Sequence, residues 1–127
     1  LQAEELERLC LEDPDRPRLL ILNYPNNPVG VSYASGELAS LASVARKYGV
    51  IVLSDEILGE LHHADGHVSL ARFYPEGTVV SGGLSKWCGA GGWRLGTFLF
   101  PASLRWLLDG MAHDGMPSSS APARSSC

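Results

Sequence analysis

Residues 81–96 read SGGLSKWCGAGGWRLG, and this stretch carries one lysine, Lys86, and one arginine, Arg94, eight residues later. A short apolar run at 78–80 precedes it, so the lysine stands among small residues just after a predicted strand. Burying an ammonium group is costly unless something compensates for its charge. A desolvated lysine can lose its proton and attack a carbonyl to form a Schiff base, and a guanidinium suits phosphate. An ordinary strand–turn–strand with Lys86 in solvent remains equally open for this stretch alone.

Length and composition indicate one globular domain with a modest core. The chain has 127 residues, of which 45% are apolar and 19% are charged. The formal net charge of −4 argues against nonspecific binding of nucleic acid, and no apolar run is long enough to cross a membrane. The opening LQAEELERLC is not a secretory signal, and three cysteines without framework spacing suit a reducing compartment, so we expect a cytoplasmic protein. The start, which has no methionine, looks like a cut.

Four apolar runs predict a mixed α/β fold. LLIL at 19–22 and VIVL at 50–53 are apolar throughout, as in strands covered on both faces, and 78–81 and 96–100 continue the series. A helix predicted from Ser35 to about residue 48 makes the first connection a parallel crossover. The last connection is too short for a crossover helix. We therefore predict a mostly parallel, four-stranded sheet whose last strand is antiparallel.

The remaining segments predict helices, turns and a tail. Ser35 is the expected N-cap of the crossover helix and Gly49 its stop. Two more helices are predicted at 2–12 and 102–111, and residues 69–74 suit a short helical turn. The apolar faces of those two helices are expected to be Leu6, Leu9 and Cys10 in the first, and Leu104, Leu107 and Leu108 in the second. Residues 1–113 are predicted to form the ordered domain, and 114–127 a disordered or truncated tail.

Polar residues follow two of the predicted strands. The loop NYPNNPVG, residues 23–30, places Asn26 and Asn27 where open α/β sheets bind ligands, although Asn-Pro pairs also suit a plain turn. Asp55 follows VIVL directly and is expected to be buried with a partner, or else to cap a helix. The run HHADGH, residues 62–67, matches no familiar zinc spacing, so we predict no metal site.

Asn27, Asp55 and Lys86, at the ends of three successive strands, resemble the site of the class I/II aminotransferases, pyridoxal-phosphate-dependent enzymes of fold type I. PNNPVG is similar to that family's NPxNPTG loop, SDEI to its SDE-I-Y segment, and GLSKWCGAGGWRLG to its lysine signature, including the arginine spacing. Each motif alone is weak, but three in order at consistent spacing are specific. The resemblance covers roughly residues 18–108, and it implies the central part of the family's large domain.

The resemblance also implies a cofactor, pyridoxal 5′-phosphate, and a role for each matching residue. Lys86 would form the Schiff base and move a proton between the substrate Cα and the cofactor C4′. Asp55 would pair with the pyridine nitrogen, Asn27 would donate to the phenolic oxygen, and Arg94, with Ser85 beside the lysine, would bind phosphate. The substrates would be an amino acid and a 2-oxo acid, and the intact enzyme would be a homodimer.

Several departures leave alternatives open. The family usually has tyrosine at the position of Leu58, and many members have serine at that of Gly83. The family's other phosphate loop, its ring-stacking aromatic and its substrate-binding arginine cannot be placed here, so the chain is predicted to be an inactive fragment. A carbon–sulfur lyase or β-lyase on the same cofactor, or a non-catalytic relic, stays possible, because these motifs bind cofactor and do not choose the reaction.

Overall fold

The structure, a computed structural model, describes residues 1–16, 18–62 and 66–113. In chain order the described helices and strands are α1 (Ala3–Glu12), β1 (Leu19–Asn23), α2 (Ser35–Lys47), β2 (Ile51–Asp55), β3 (Thr78–Gly83), β4 (Gly96–Leu99) and α3 (Trp106–His113). Short 3-10 turns lie between them, including one at Leu70–Arg72, inside the helical turn predicted at 69–74.

The four strands form one sheet in the order β1-β2-β3-β4. The first two pairings are parallel and the last is antiparallel, which confirms the predicted fold class. Because parallel strands share a direction, the carboxyl ends of β1, β2 and β3 meet at one edge of the sheet. In the observed register Asn23 pairs with Asp55, and Asp55 with Ser81.

One face of the sheet, which we call the covered face, carries the core. Leu22 is 5% exposed and Val52 is fully buried, packed with side chains from α1, α2 and the segment near residue 70. On the opposite face, which we call the open face, Leu19 and Ile21 are 62% and 64% exposed. The expectation from LLIL of cover on both faces is therefore wrong for β1 in the described chain.

The crossover helix is confirmed, but its N-cap is not the predicted one. The helix already includes Ser35, and the backbone N–H of Ala34 donates to Glu37 Oε2 at 2.7 Å. The glutamate thus provides an acceptor for the backbone N–H at the N-terminus of the helix, which is one of the two hydrogen bonds of a capping box. The end is as predicted, because Gly49 follows the helix with φ +63°, a left-handed conformation that glycine adopts at little cost.

The other two helices differ from expectation in detail. In α1, Leu6 and Cys10 are buried as predicted, but Leu9 is 44% exposed. The helix predicted at 102–111 begins later, because Leu104 N–H bonds to Pro101 O, three residues back, at 3.0 Å. That spacing makes a 3-10 turn, and the α-helix starts only at residue 106. Of its predicted apolar face, Leu108 is 41% exposed.

Two further predictions concern the tail and membrane-spanning segments. The predicted tail, 114–127, lies outside the described residues. Over the residues that are described, no helix has both the length and the apolar character needed to cross a bilayer.

Candidate functional site

The open face ends in a row of side chains that crosses the whole sheet. Asn23, Asp55, Ser81 and Phe98 are paired successively in the register of the four strands. Paired residues of neighbouring strands project to the same face, so their side chains share the open face at the carboxyl edge of β1 and β2. This edge is where open α/β sheets bind ligands.

The Asp55 carboxylate, half-buried, is the most strongly held group of that row. Asn23 Nδ2 donates to Asp55 Oδ2 at 3.0 Å, and Ser81 Oγ donates to Asp55 Oδ1 at 3.1 Å. The backbone N–H of Ile57 approaches Oδ1 at 3.4 Å. A carboxylate can accept about four hydrogen bonds, so Asp55 keeps capacity for a further donor. No sequence signal points to Ser81 as a partner of Asp55, whereas Asn23 could have been found because it ends an apolar run.

The loop that contains Asn27 is folded against the end of β1. Asn26 N–H bonds to Val31 O, and Asn26 Oδ1 accepts from Val31 N–H, both at 3.0 Å. The backbone N–H of Asn27 reaches Asn23 Oδ1 at 3.4 Å, while the Asn27 side chain is exposed. The loop therefore holds Asn27 near the edge that Asp55 occupies.

The β3–β4 loop carries the other predicted residues. Ser85 is half-buried and Lys86 is exposed in the turn after β3. Arg94 has φ +53° and is the one non-glycine residue of the described chain with a positive φ. Its Nη1 donates to Gly91 O at 3.1 Å. Strained backbone of this kind concentrates at functional sites, where the surrounding structure over-determines it.

Gly83 lets the two arms of this loop approach each other. A Cβ at this position would lie 2.7 Å from Leu95 O, which is closer than a side chain tolerates. Any larger residue would therefore push the Lys86 turn away from the β4 arm. Leu58, which stands where the resemblance expects tyrosine, is half-buried at the start of the turn after β2.

Sequence reasoning missed a second polar cluster, centred on Glu56. Its carboxylate accepts from Ser54 Oγ at 2.9 Å and Ser69 Oγ at 2.7 Å, and lies 2.7 Å from His67 Nε2. Ser54 is fully buried on the covered face. The cluster ties the segment around residue 68 to the end of β2, and it explains why a glutamate follows Asp55. His67 is thus bound to a carboxylate.

The described residues hold no group of three or more histidine, cysteine, aspartate or glutamate side chains that could bind a metal. His63 and Asp65 of the HHADGH run lie outside the described residues, so the prediction of no metal site there stays a prediction.

Tyr24 joins the Glu56 cluster to the core. Its ring is buried, and its hydroxyl accepts from Leu70 N–H at 2.6 Å and lies 3.2 Å from Val68 O and 3.3 Å from Glu56 Oε1. Burial raises the pKa of the Tyr24 phenol far above its usual range, and the Glu56 carboxylate adds to that rise. The folded state therefore keeps this phenol neutral.

Replacing Tyr24 with phenylalanine is expected to lower the free energy of unfolding at pH 8 by about 1–3 kcal/mol, because the buried N–H of Leu70 loses its acceptor. The difference between the two proteins should shrink above about pH 10. There the tyrosine of the unfolded state ionises while the folded one stays protonated, so the unfolded state binds fewer protons and stability falls as pH rises.

Urea unfolding at pH 8 and pH 10.5 measures both effects. The matched control is Tyr48→Phe, since Tyr48 is only half-buried and its hydroxyl bonds to the surface residue Glu7. An equal loss of stability with pH in the parent protein and in Tyr24→Phe would contradict the role given to Tyr24.

The chain is similar in sequence and in fold to known proteins. The profile of "Aminotransferase class I and II" matches residues 1–126. The probable N-acetyl-LL-diaminopimelate aminotransferase of Bacillus subtilis is 42% identical over 98 residues, which cover 76% of this chain and 25% of that protein. The aspartate aminotransferase of Thermus thermophilus, solved with maleate, superposes with a TM-score of 0.78 at 30% identity, over 91% of this chain and 29% of its own.

A carbon–sulfur lyase shares the fold. The pyridoxal-phosphate-bound enzyme of Staphylococcus hominis superposes with a TM-score of 0.76 at 20% identity, covering 92% of this chain and 29% of its own. The chain spans about a quarter of the length of the curated relatives it matches.

Proposed function

This chain belongs to the aminotransferase class I and II family, and from that premise we propose that it is the central part of the large domain of a pyridoxal-phosphate-dependent aminotransferase. The reaction is the transfer of an amino group between an amino acid and a 2-oxo acid. One observation carries the proposal. The parallel register puts a carboxylate held by two neighbouring strands at the edge where the Asn27 and Lys86 loops also begin.

The donor set at this edge fits pyridoxal phosphate. A carboxylate pairs with a protonated pyridine nitrogen, and Asp55 has acceptor capacity left after its three observed donors. An amide can donate to a phenolic oxygen, an amine can bond to an aldehyde, and a guanidinium is bidentate to phosphate. Asn27, Lys86 and Arg94 supply these groups, and the side chains of all three are exposed.

The residues at this edge have distinct tasks in the proposed reaction. When bound, the cofactor supplies an electron sink for the negative charge that develops at the substrate Cα. Asp55 holds a proton on the ring nitrogen, and Asn27 donates to the phenolic oxygen. Arg94 and Ser85 bind the phosphate. Lys86 Nζ would hold the cofactor covalently, and as a free amine it would take the proton from the substrate Cα.

We propose that the whole protein is a homodimer, as the resemblance implies, and that it is cytoplasmic, because three cysteines without framework spacing suit a reducing compartment. The second candidate function is that of a carbon–sulfur lyase or β-lyase, because the Staphylococcus hominis lyase has the same fold. A non-catalytic relic is the third reading, favoured by the leucine at position 58.

Amino transfer is expected to depend strictly on a 2-oxo acid. The family-length protein that contains this chain would be given aspartate or alanine with 2-oxoglutarate, and glutamate should form one for one with the new 2-oxo acid, without release of ammonia. Ammonia and a thiol released from a sulfur-containing amino acid, with no need for 2-oxoglutarate, would replace the proposal with a lyase. If the protein is folded and forms neither set of products, it is a non-catalytic relic.

A further inference from the structure

The Asp55 carboxylate is held from both sides by side chains of the neighbouring strands. Asn23 on β1 donates to Oδ2 at 3.0 Å, and Ser81 on β3 donates to Oδ1 at 3.1 Å. Each oxygen therefore has its own donor, and the two donors lie on opposite sides of β2. Such an arrangement restricts rotation of the carboxylate, and the donors stabilise its negative charge.

Asn23 makes two further contacts. Its Nδ2 lies 3.3 Å from the backbone oxygen of Asp55, and its Oδ1 accepts from the backbone N–H of Asn27 at 3.4 Å. The amide uses its donor end on β2 and its acceptor end on its own loop, so one side chain connects the two segments. A change at Asn23 would thus move Asp55 and the Asn27 loop together.

We propose that Asn23 and Ser81 are positioning residues, which hold the Asp55 carboxylate in the orientation that a cofactor ring nitrogen requires, with Asn23 also setting the Asn27 loop against it. The inference rests on the proposed function, in which Asp55 meets that nitrogen. It concerns residues outside the three motifs that carry the family resemblance, apart from Asn23 at the first motif's border.

The chain offers a matched control in Ser54. Like Ser81, it donates its hydroxyl to a carboxylate beside it, here Glu56 Oε1 at 2.9 Å, but it does so fully buried on the covered face. Ser54→Ala and Ser81→Ala both delete one hydroxyl–carboxylate bond near the end of the sheet. If Ser81 served stability alone, the two variants would behave alike toward the cofactor.

The experiment compares two probes on the family-length protein: pyridoxal phosphate, and a carbocyclic analogue in which C–H replaces the ring nitrogen. Ser81→Ala and Asn23→Ala are expected to weaken binding of pyridoxal phosphate by about 5- to 10-fold, the scale of one ordinary net hydrogen bond, because the lost bond acts on the cofactor only through Asp55. In Ser81→Ala, binding of the analogue should change less than twofold, since it presents no nitrogen to Asp55. In Asn23→Ala it should also weaken, but less than binding of pyridoxal phosphate, because the Asn27 loop loses its contact with Asn23. Ser81→Thr, which keeps the hydroxyl, should restore the parent affinity.

Asn23→Asp should have the largest effect, because it sets a like charge against Asp55. Thermal unfolding of each cofactor-free variant measures its stability. Ser54→Ala should be less stable than the parent protein, but the ratio of its affinities for pyridoxal phosphate and for the analogue should equal that of the parent. Equal weakening of both probes, or none, in a folded Ser81→Ala and Asn23→Ala would overturn the inference and leave the proposed function standing. A parent protein that does not bind pyridoxal phosphate would overturn both.

Discussion

Lys86→Ala is expected to abolish the visible absorbance of the Schiff base between lysine and cofactor, and to lower the rate of amino transfer at least about 10³-fold. General acid–base catalysis alone contributes about 10²–10⁴-fold, and the variant loses the covalent attachment as well. Non-covalent binding of the cofactor should survive in part, because the proposed contacts from Asp55, Asn27 and Arg94 remain. The substitution should leave the fold intact, since Lys86 is exposed in a turn.

Lys47 provides the matched control, because it is the only other lysine of the sequence. It lies at the end of α2, where its Nζ bonds to Glu7 Oε1 at 2.7 Å on the surface. Reduction with borohydride in the presence of pyridoxal phosphate, followed by peptide mapping, should label the peptide containing Lys86, and Lys47→Ala should leave that labelling unchanged. A label on Lys47, or an unaltered absorbance in Lys86→Ala, would refute the assignment.

The sheet could be predicted from the sequence because its signals are local. LLIL and VIVL are short, wholly apolar runs bounded by turn residues, which is typical of strands, and the thirteen residues that form α2 supply the crossover between them. The antiparallel last pairing followed from the length of the 84–95 connection alone. Helix ends were less predictable, because Ser35 and Glu37 compete for the same entrance and only the folded backbone decides between them.

The partners of Asp55 and Glu56 could not be predicted, because those of Asp55 depend on strand register and those of Glu56 lie mostly outside the strands. Ser81 meets Asp55 only because β2 and β3 pair in the observed register, and a shift by one residue would turn its hydroxyl to the other face. The contact between Glu56 and His67, which are eleven residues apart in sequence, lies outside any strand pairing and is equally invisible in the sequence. Sequence motifs identified the groups proposed to contact the cofactor, while the groups that hold them in place emerged only from the fold.

The 127 residues expressed alone are expected to show no amino transfer and to bind pyridoxal phosphate poorly. The chain spans about a quarter of the length of its curated relatives, and its open face leaves Leu19, Ile21 and Phe98 between 59% and 64% exposed. The outer strands of the described sheet, β1 and β4, each have one edge that pairs with no other strand of that sheet. An apolar face and two open edges favour association with other chains over a stable monomer.

Two neighbouring residues of β1 make this expectation testable, because they point to opposite faces of the sheet. In the isolated chain, Ile21→Thr should raise solubility, since the side chain is 64% exposed, whereas Leu22→Thr should cost about 1.5–3 kcal/mol by opening the core, where Leu22 is 5% exposed. In the family-length protein both substitutions should destabilise, if the remaining chain covers the open face. Solubility, urea unfolding and turnover of aspartate with 2-oxoglutarate, measured in both lengths, separate these outcomes. Two results would contradict this expectation: a soluble, cofactor-bound and active 127-residue chain, or an Ile21→Thr substitution without effect in the longer protein. Neither result is compatible with an apolar face that requires further chain to cover it.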